Sequence, residues 1–307
     1  MPSALMQAVR TRTQSALESG DLQPIQAEQT VLEEAGLPFI VRWIAALAQK
    51  DSAPTTLPGG PRNVDFNPFL EPEPALLIGP IGTDHVVILN KFPVCLHHLV
   101  LARRAFAEQR TPLEHTDFLA LAEVLSSVGG LGFYNGGPEA GASQRHKHVQ
   151  WVPEDPGNAT LRHLVAGLAN SHDHAGAKRT GQPAALHHPL LSVRHVFLPV
   201  QAGPGEDPQR SAESLRQAYE SARQLLGLQV DADGLLPPHN LLIHDGWLLM
   251  VLRSREHFSG VSLNALSFGG TLYARNAEQV QAIRAAGPLK ALLQVGVPWP
   301  DASSPAG

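Results

Sequence analysis

The stretch Tyr134–Pro153, YNGGPEAGASQRHKHVQWVP, constrains the fold of this 307-residue chain more than any other. Its second half alternates: His146, His148 and Gln150 share one phase, and Lys147, Val149 and Trp151 the other. Successive side chains of a β-strand point to opposite faces, so the alternation places two imidazoles and an amide in a row and turns Val149 and Trp151 toward an interior. A strand with one apolar face needs a sheet around it and a layer behind it. The loop in front, Gly136 to Gln144, is rich in glycine, which reaches backbone conformations closed to other residues. Such a loop can fold over the row and turn several N–H groups inward as a nest for an anion, with Ser143 and Gln144 adding side-chain donors.

The flanking segments read as an α+β chain. The first residues form a short helix. LPFIVRWIAALAQK, after Gly36, begins strand-like and turns helical at WIAALAQK; a long Pro/Gly-punctuated connection runs from Asp51 to Gly82. DHVVILN (84–90) and LHHLVLARR (96–104) read as a hairpin. LEHTDFLALAEVLSSVGG has helical spacing, with a start near Thr111 or Pro112 and a stop at Gly129. Then follow the strands LGFYNGG and HKHVQWV, a helix from Gly157, the strand SVRHVFLPV and an amphipathic helix over 208–228. PHNLLIHDGWLLMVLRS is a hairpin turning at Asp245-Gly246, and one or two helices close the chain.

Composition narrows the function classes. Apolar residues at 43% and charged residues at 17% are ordinary for a globular protein. A net charge of -5 argues against broad nucleic-acid binding, which needs a basic face, but leaves room for a local anion site. A run of about eighteen apolar residues is missing, so no membrane span is expected. The start of the chain lacks the apolar core of a secretory signal. Cys95 is the one cysteine, which excludes an internal disulfide or a two-cysteine zinc site and suits the cytoplasm.

Imidazole is close to neutral at physiological pH and acts as nucleophile or base without a large shift. The loop and the row together therefore give a nucleophile facing an anion cradle. The chain holds 15 histidines, and chance pairs are common in such a sequence. The pairs His97-His98 and His187-His188, and His172-Asp173-His174, read as surface decoration, the last two groups with some capacity for weak metal binding. What separates 146–150 is the glycine loop, Ser143-Gln144, the alternation and Gln150 together.

FYNGGPEAGASQRHKHVQ resembles the signature of the diadenosine tetraphosphate phosphorylases, or ATP adenylyltransferases, in the galactose-1-phosphate uridylyltransferase branch of the histidine triad superfamily. LPFIVRWIAALAQK, FNPFLEPEPALLIG, HVVILNKFPVCLHHLVLARR and HNLLIHDGWLLMVLRSREHFSGVSLNALSFGGTLYAR resemble further segments of that family in its order, from about Gly36 to Arg275. The resemblance implies a histidine-triad-like antiparallel sheet with flanking helices, one catalytic domain over 1–307 whose N-terminal segment 1–60 and C-terminal segment 230–307 complete the substrate site. It implies phosphorolysis of diadenosine tetraphosphate by inorganic phosphate to ADP and ATP. Two other readings stand beside it: a nucleotidyltransferase of the same branch acting on a sugar phosphate, and a silent nucleotide-binding protein on the same scaffold.

Residue by residue, the resemblance makes His148, the second histidine of H-x-H-x-Q, the nucleophile that carries an adenylyl group. It leaves His146 to orient or to hydrogen-bond phosphate. Gln150 binds phosphate, and Asn135, Gly141, Ala142, Ser143 and Gln144 fall where the family holds polyphosphate. Lys50, Asn90, Lys91, Asn264, Thr271 and Arg275 match further substrate contacts. Thr271 stands where the family carries Met, and Arg275 where it carries Lys. No protein-held metal is implied: Mg2+ or another divalent cation would arrive on the substrate's phosphates. The structural zinc that uridylyltransferase relatives hold partly through cysteines has no counterpart beside Cys95 alone.

Overall fold

In the computed structural model, residues 4–24, 27–44, 67–93, 95–154, 159–170 and 185–299 are described. Its frame is an eight-stranded mixed-order sheet in which every neighbouring pair is antiparallel, β3-β4-β5-β7-β6-β9-β10-β8. The strands are β3 (Leu77–Ile81), β4 (His85–Leu89), β5 (Leu99–Arg103), β6 (Leu131–Gly136), β7 (His148–Val152), β8 (His195–Pro199), β9 (His239–His244) and β10 (Trp247–Leu252). A second sheet of three strands pairs β1 (Ala27–Glu34) with β2 (Leu37–Ile44) and β2 in parallel with β13 (Thr271–Ala274). The short pair β11 (His257–Phe258) and β12 (Val261–Ser262) lies between them in sequence.

Two apolar layers cover the large sheet. On one face Val149, Trp151, Leu241 and Met250 pack with Phe118, Leu121 and Leu125 of helix His115–Val128 and Leu215 and Tyr219 of helix Pro208–Leu226. On the other, Phe133, Val152, Leu242 and Leu249 pack with Leu164 of helix Ala159–Asn170, with Phe268, and with Phe39 and Val41 of β2. Opposite faces of one strand thus enter different cores, as alternation requires. The apolar back expected of Val149 and Trp151 is present, and Gly132 is needed there: a Cβ on it would meet the Leu121 side chain at 2.8 Å.

Local chemistry explains the boundaries. Asp245 and Gly246 have φ of 49° and 79°, the paired left-handed geometry that a two-residue hairpin turn demands. Helix Pro208–Leu226 starts on Asp207, whose side chain accepts from the Arg210 N–H, and stops at left-handed Gly227. The helix expected from Thr111 or Pro112 begins instead at His115, because the Asp117 carboxylate takes the Glu114 N–H and fixes the first turn there. The segment expected to turn helical at Trp43 stays extended through Ile44, and its continuation lies outside the described residues. β1 and β3 add to the expected strands. Among the described residues no helix is long and apolar enough to cross a membrane.

Candidate active site

β7 begins at His148, two residues later than the alternation alone suggests. Residues 145–147 pair with 107–109 instead: the Gln109 N–H donates to the Arg145 carbonyl at 2.6 Å and the Lys147 N–H to the Ala107 carbonyl at 2.8 Å. At this point β6 and β7 are bridged by a side chain. The Gln109 amide, buried, donates to the carbonyls of Asn135 (2.9 Å) and His148 (3.1 Å) and accepts the His148 N–H (2.8 Å). The histidine row thus hangs on a glutamine that the sequence pattern does not single out.

The tautomer of His148 follows from its bonds. Nδ1–H donates to the His146 carbonyl at 2.8 Å, which leaves the lone pair on Nε2. The Gln150 Nε2 lies 3.5 Å from that atom, too far to bind the lone pair firmly. Burial, first of all, brings the His148 pKa down to about 4, so the ring is neutral at physiological pH. The Phe69 ring lies against it, centroids 4.9 Å apart.

Gln150 is oriented from behind. His98 Nε2–H donates to Gln150 Oε1 at 2.9 Å, and Asn90 Nδ2–H donates to His98 Nδ1 at 3.2 Å. The run Asn90, His98, Gln150 therefore turns the amide NH2 of Gln150 toward His148. Burial holds His98 neutral too, with a pKa down to about 4. The expectation that His98 is surface decoration is overturned: it is 3% exposed, one residue before β5 and in phase with Val100, the cross-strand partner of Gln150.

His146 has both ring nitrogens engaged. Nε2–H donates to the Arg103 carbonyl at 2.8 Å, so Nδ1 accepts from Asn67 Nδ2 at 2.9 Å. It orients His148 through its own carbonyl and has no ring donor left for a phosphate in this arrangement. Lys147, which an exposed polar residue would resemble in sequence, is 1% exposed behind the row and donates to the Pro112 carbonyl at 2.8 Å. Beside it Asp117 accepts from His85 (2.9 Å) and Arg103 (2.8 Å). Burial alone would raise the Asp117 pKa, but the His85 and Arg103 bonds hold the carboxyl well below its usual range.

The glycine loop carries a single turn, Pro138–Ala140, between Gly137 and Gly141, both at positive φ. A Cβ at Gly141 would stand 2.7 Å from the Asn264 Cβ, so the loop packs directly on the C-terminal segment. Much of the expected nest is spent internally: the N–H groups of Gly137, Ala140, Gly141 and Ala142 bond to the carbonyls of Asn135, Gly137, Pro138 and Gly137. Ser143 and Gln144 keep their N–H groups for an anion, and Gln144 Nε2 is buried with no bonding partner among the described residues. Asn135 Oδ1 accepts from Asn240 Nδ2 (2.9 Å) and the Ala265 N–H (3.0 Å), joining β6, β9 and the segment after Asn264.

Two family descriptions match this chain: "Ap4A phosphorylase N-terminal domain" over residues 1–165 and "ATP adenylyltransferase C-terminal domain" over residues 189–298. The chain belongs to the Ap4A phosphorylase family. It is 26% identical to diadenosine 5',5'''-P1,P4-tetraphosphate phosphorylase 2 of Saccharomyces cerevisiae, over 96% of this chain and 95% of the relative. It is 25% identical to the protein APA1 of the same yeast, over 91% and 89%. The crystal structure of yeast Ap4A phosphorylase Apa2 superposes with a TM-score of 0.74 at 25% identity, covering 99% of this chain and 98% of that one. A further structure of that yeast enzyme, in complex with AMP, gives the same TM-score. The large sheet takes β3 to β7 from the first matched region and β8 to β10 from the second.

Against the contacts implied by membership of the Ap4A phosphorylase family, the structure brings together His148, Gln150, His146, Asn90, Asn135, the loop 141–144 and Asn264. Asn264 caps helix Ala265–Gly269 with its Oδ1. Lys91 is paired with Glu73 at 2.8 Å rather than turned to the histidine row. Thr271 is buried in β13 of the smaller sheet and Arg275 is exposed just past that strand's end. Lys50 and the His172–His174 group lie outside the described residues. His187 and His188 are tied to His195: His187 Nδ1–H donates to the His195 carbonyl at 2.7 Å, and the His188 N–H to His195 Nε2 at 2.8 Å. Among the described residues no group of three or more His, Cys, Asp or Glu is placed to hold a metal.

Proposed function

We propose that this protein cleaves diadenosine tetraphosphate with inorganic phosphate, giving ADP and ATP, through an adenylyl group carried on His148. The observation behind this reading is the fixed tautomer: Nδ1–H is held by the His146 carbonyl, and the Nε2 lone pair is neutral and loosely contacted. Nε2 attacks the α-phosphorus; the P–N bond forms as the bond to the bridging oxygen breaks, and ATP leaves. A phosphate oxygen then attacks the same phosphorus, the P–N bond breaks, and ADP departs with His148 restored. Each displacement is mostly positioning and charge stabilisation. The Gln150 NH2, turned forward by His98, donates to the phosphoryl oxygens, and Ser143 and Gln144 contribute the loop's donors.

Full-length likeness to yeast Ap4A phosphorylases supports the substrate over a sugar phosphate. A divalent cation would reach the site on the substrate's phosphates, where it neutralises charge without a protein cage. A cytoplasmic setting fits Cys95 as the one cysteine. The test mixes protein with α-labelled dinucleotide without phosphate, quenches, and maps peptides. Label on His148, released as ADP when phosphate is added, is expected; label on His146, or AMP in place of ADP with phosphate present, overturns the reading.

A further inference from the structure

Arg253, just past the end of β10, is a buried guanidinium that the reaction above does not use. It is 3% exposed. Nη1 donates to Asn240 Oδ1 (2.5 Å) and reaches the Ala140 carbonyl at 3.5 Å; Nη2 donates to the carbonyls of Leu263 and Arg255, each at 2.8 Å; Nε donates to the Val295 carbonyl at 3.1 Å. The Phe268 ring lies 5.5 Å from its Cζ. Every acceptor is a neutral oxygen. The carboxylate that acts on it is that of Glu256, one-third exposed and bonded to the Ser262 hydroxyl.

The groups it holds are those of the glycine loop. Ala140 ends the loop's single turn, Leu263 precedes Asn264, and Asn240 Nδ2 donates both to the Ala140 carbonyl and to Asn135 Oδ1, each at 2.9 Å. Other cations near the row are compensated: Arg145 by Glu108, Lys91 by Glu73, Arg103 by Asp117 and Glu114. A buried charge that, among the described residues, is hydrogen-bonded only to neutral oxygens is screened far less than a surface one. Burial pulls its pKa down to about 10, which leaves it protonated at physiological pH.

We propose that Arg253 is a positioning residue of the polyphosphate loop whose buried positive charge, hydrogen-bonded to neutral oxygens, makes binding there grow with the negative charge of the ligand. This rests on the reading that loop 136–144 holds the phosphates. One planar fork binds Leu263 directly and Ala140 chiefly through Asn240, and the same fork supplies the field that an overall acidic chain lacks at this place.

The experiment measures Kd for adenosine, AMP, ADP and ATP by calorimetry on the full chain and on R253K, R253Q and E256Q. R253K retains the charge but not the fork, and is expected to weaken all four ligands by a similar factor. R253Q is expected to flatten the dependence on charge, losing on the order of tenfold more affinity for ATP than for adenosine. E256Q removes the opposing surface charge while a side-chain oxygen remains for Ser262, and is expected to steepen the series by about two- to threefold between adenosine and ATP. Equal losses for all ligands in R253Q, or an E256Q series parallel to the wild type, overturn the proposal; the second holds even if R253Q does not fold. Failure of the wild type to bind any of the nucleotides sinks the reading of the loop instead.

Discussion

Acid should unfold this protein in a pH range where its carboxylates are still ionised. His98, His148, His195 and His239 are buried, and burial is the leading cause that brings each from 6.5 to about 4. Between pH 4 and 6.5 the unfolded chain therefore binds protons that the folded chain refuses, and stability falls as pH drops. Above 6.5 the full stability is present. Each such histidine costs about 0.7 kcal/mol between pH 7 and 6 and about 2 kcal/mol between pH 7 and 5. Four of them remove ~7 kcal/mol by pH 5, comparable to the ~5–15 kcal/mol by which folded domains are stable. Asp117, with its lowered pKa, holds its own contribution through this range and loses it only at lower pH. Urea unfolding at pH 7, 6 and 5 measures the slope. His195→Phe, at a site remote from the row, should remove about one proton from it. A stability unchanged between pH 7 and 5 would refute the argument.

Two further perturbations bear on the row and its support. His98→Phe removes the donor that orients Gln150, and should slow adenylyl transfer by about 10²-fold in single turnover while dinucleotide Kd changes little; an unchanged rate removes His98 from the site. Asp117→Ala leaves Lys147 buried without its carboxylate and Arg103 with Glu114 alone, a loss of about 3–5 kcal/mol in urea unfolding, and a loss under 1 kcal/mol would contradict the assigned network.

The row itself was legible because a strand has period two and the residues concerned are adjacent. What escaped depends on contacts distant in sequence. His98 acts only once β5 lies beside β7, 52 residues on. One signal was available: His98, Val100 and Ala102 share a phase, so a histidine there continues the buried face of an apolar strand. Gln109 gave none, since it lies in a polar turn and acquires its role where β6 and β7 part. β3 was hidden in a Pro/Gly tract because it is the outer strand of the sheet, where Pro80 costs no ladder bond on its free side. β1 borders the smaller sheet and is largely exposed, so it lacks the apolar pattern that marks a strand. Lys91 and Arg275 were assigned through family likeness alone, and their places here, beside Glu73 for the first and exposed just past β13 for the second, lie beyond what spacing can say.

Gln109 offers a perturbation whose sign changes with pH. Its NH2 faces two carbonyls, of Asn135 and His148, while its oxygen accepts the His148 N–H. Gln109→Glu keeps the size and the acceptor. Ionised, the carboxylate would place a lone pair against carbonyl oxygens at about the 2.9 Å and 3.1 Å now spanned by hydrogen bonds. Protonated, its O–H can donate to one of them. Burial and the two carbonyls both favour the neutral acid, so the new carboxyl should titrate above the usual carboxylate range. The backbone of His148 is then held correctly at low pH and released as the acid ionises. The ratio of variant to wild-type kcat should therefore be near one at the acid end of the stable range and fall by about 10²-fold or more as pH rises, because the position of His148 is what the bridge fixes. Taking the ratio cancels the titration of every group the two proteins share. Gln109→Leu, which supplies neither donor nor acceptor, should be slow at every pH. A flat ratio for Gln109→Glu, or a ratio that rises with pH, would show that the glutamine does not position His148.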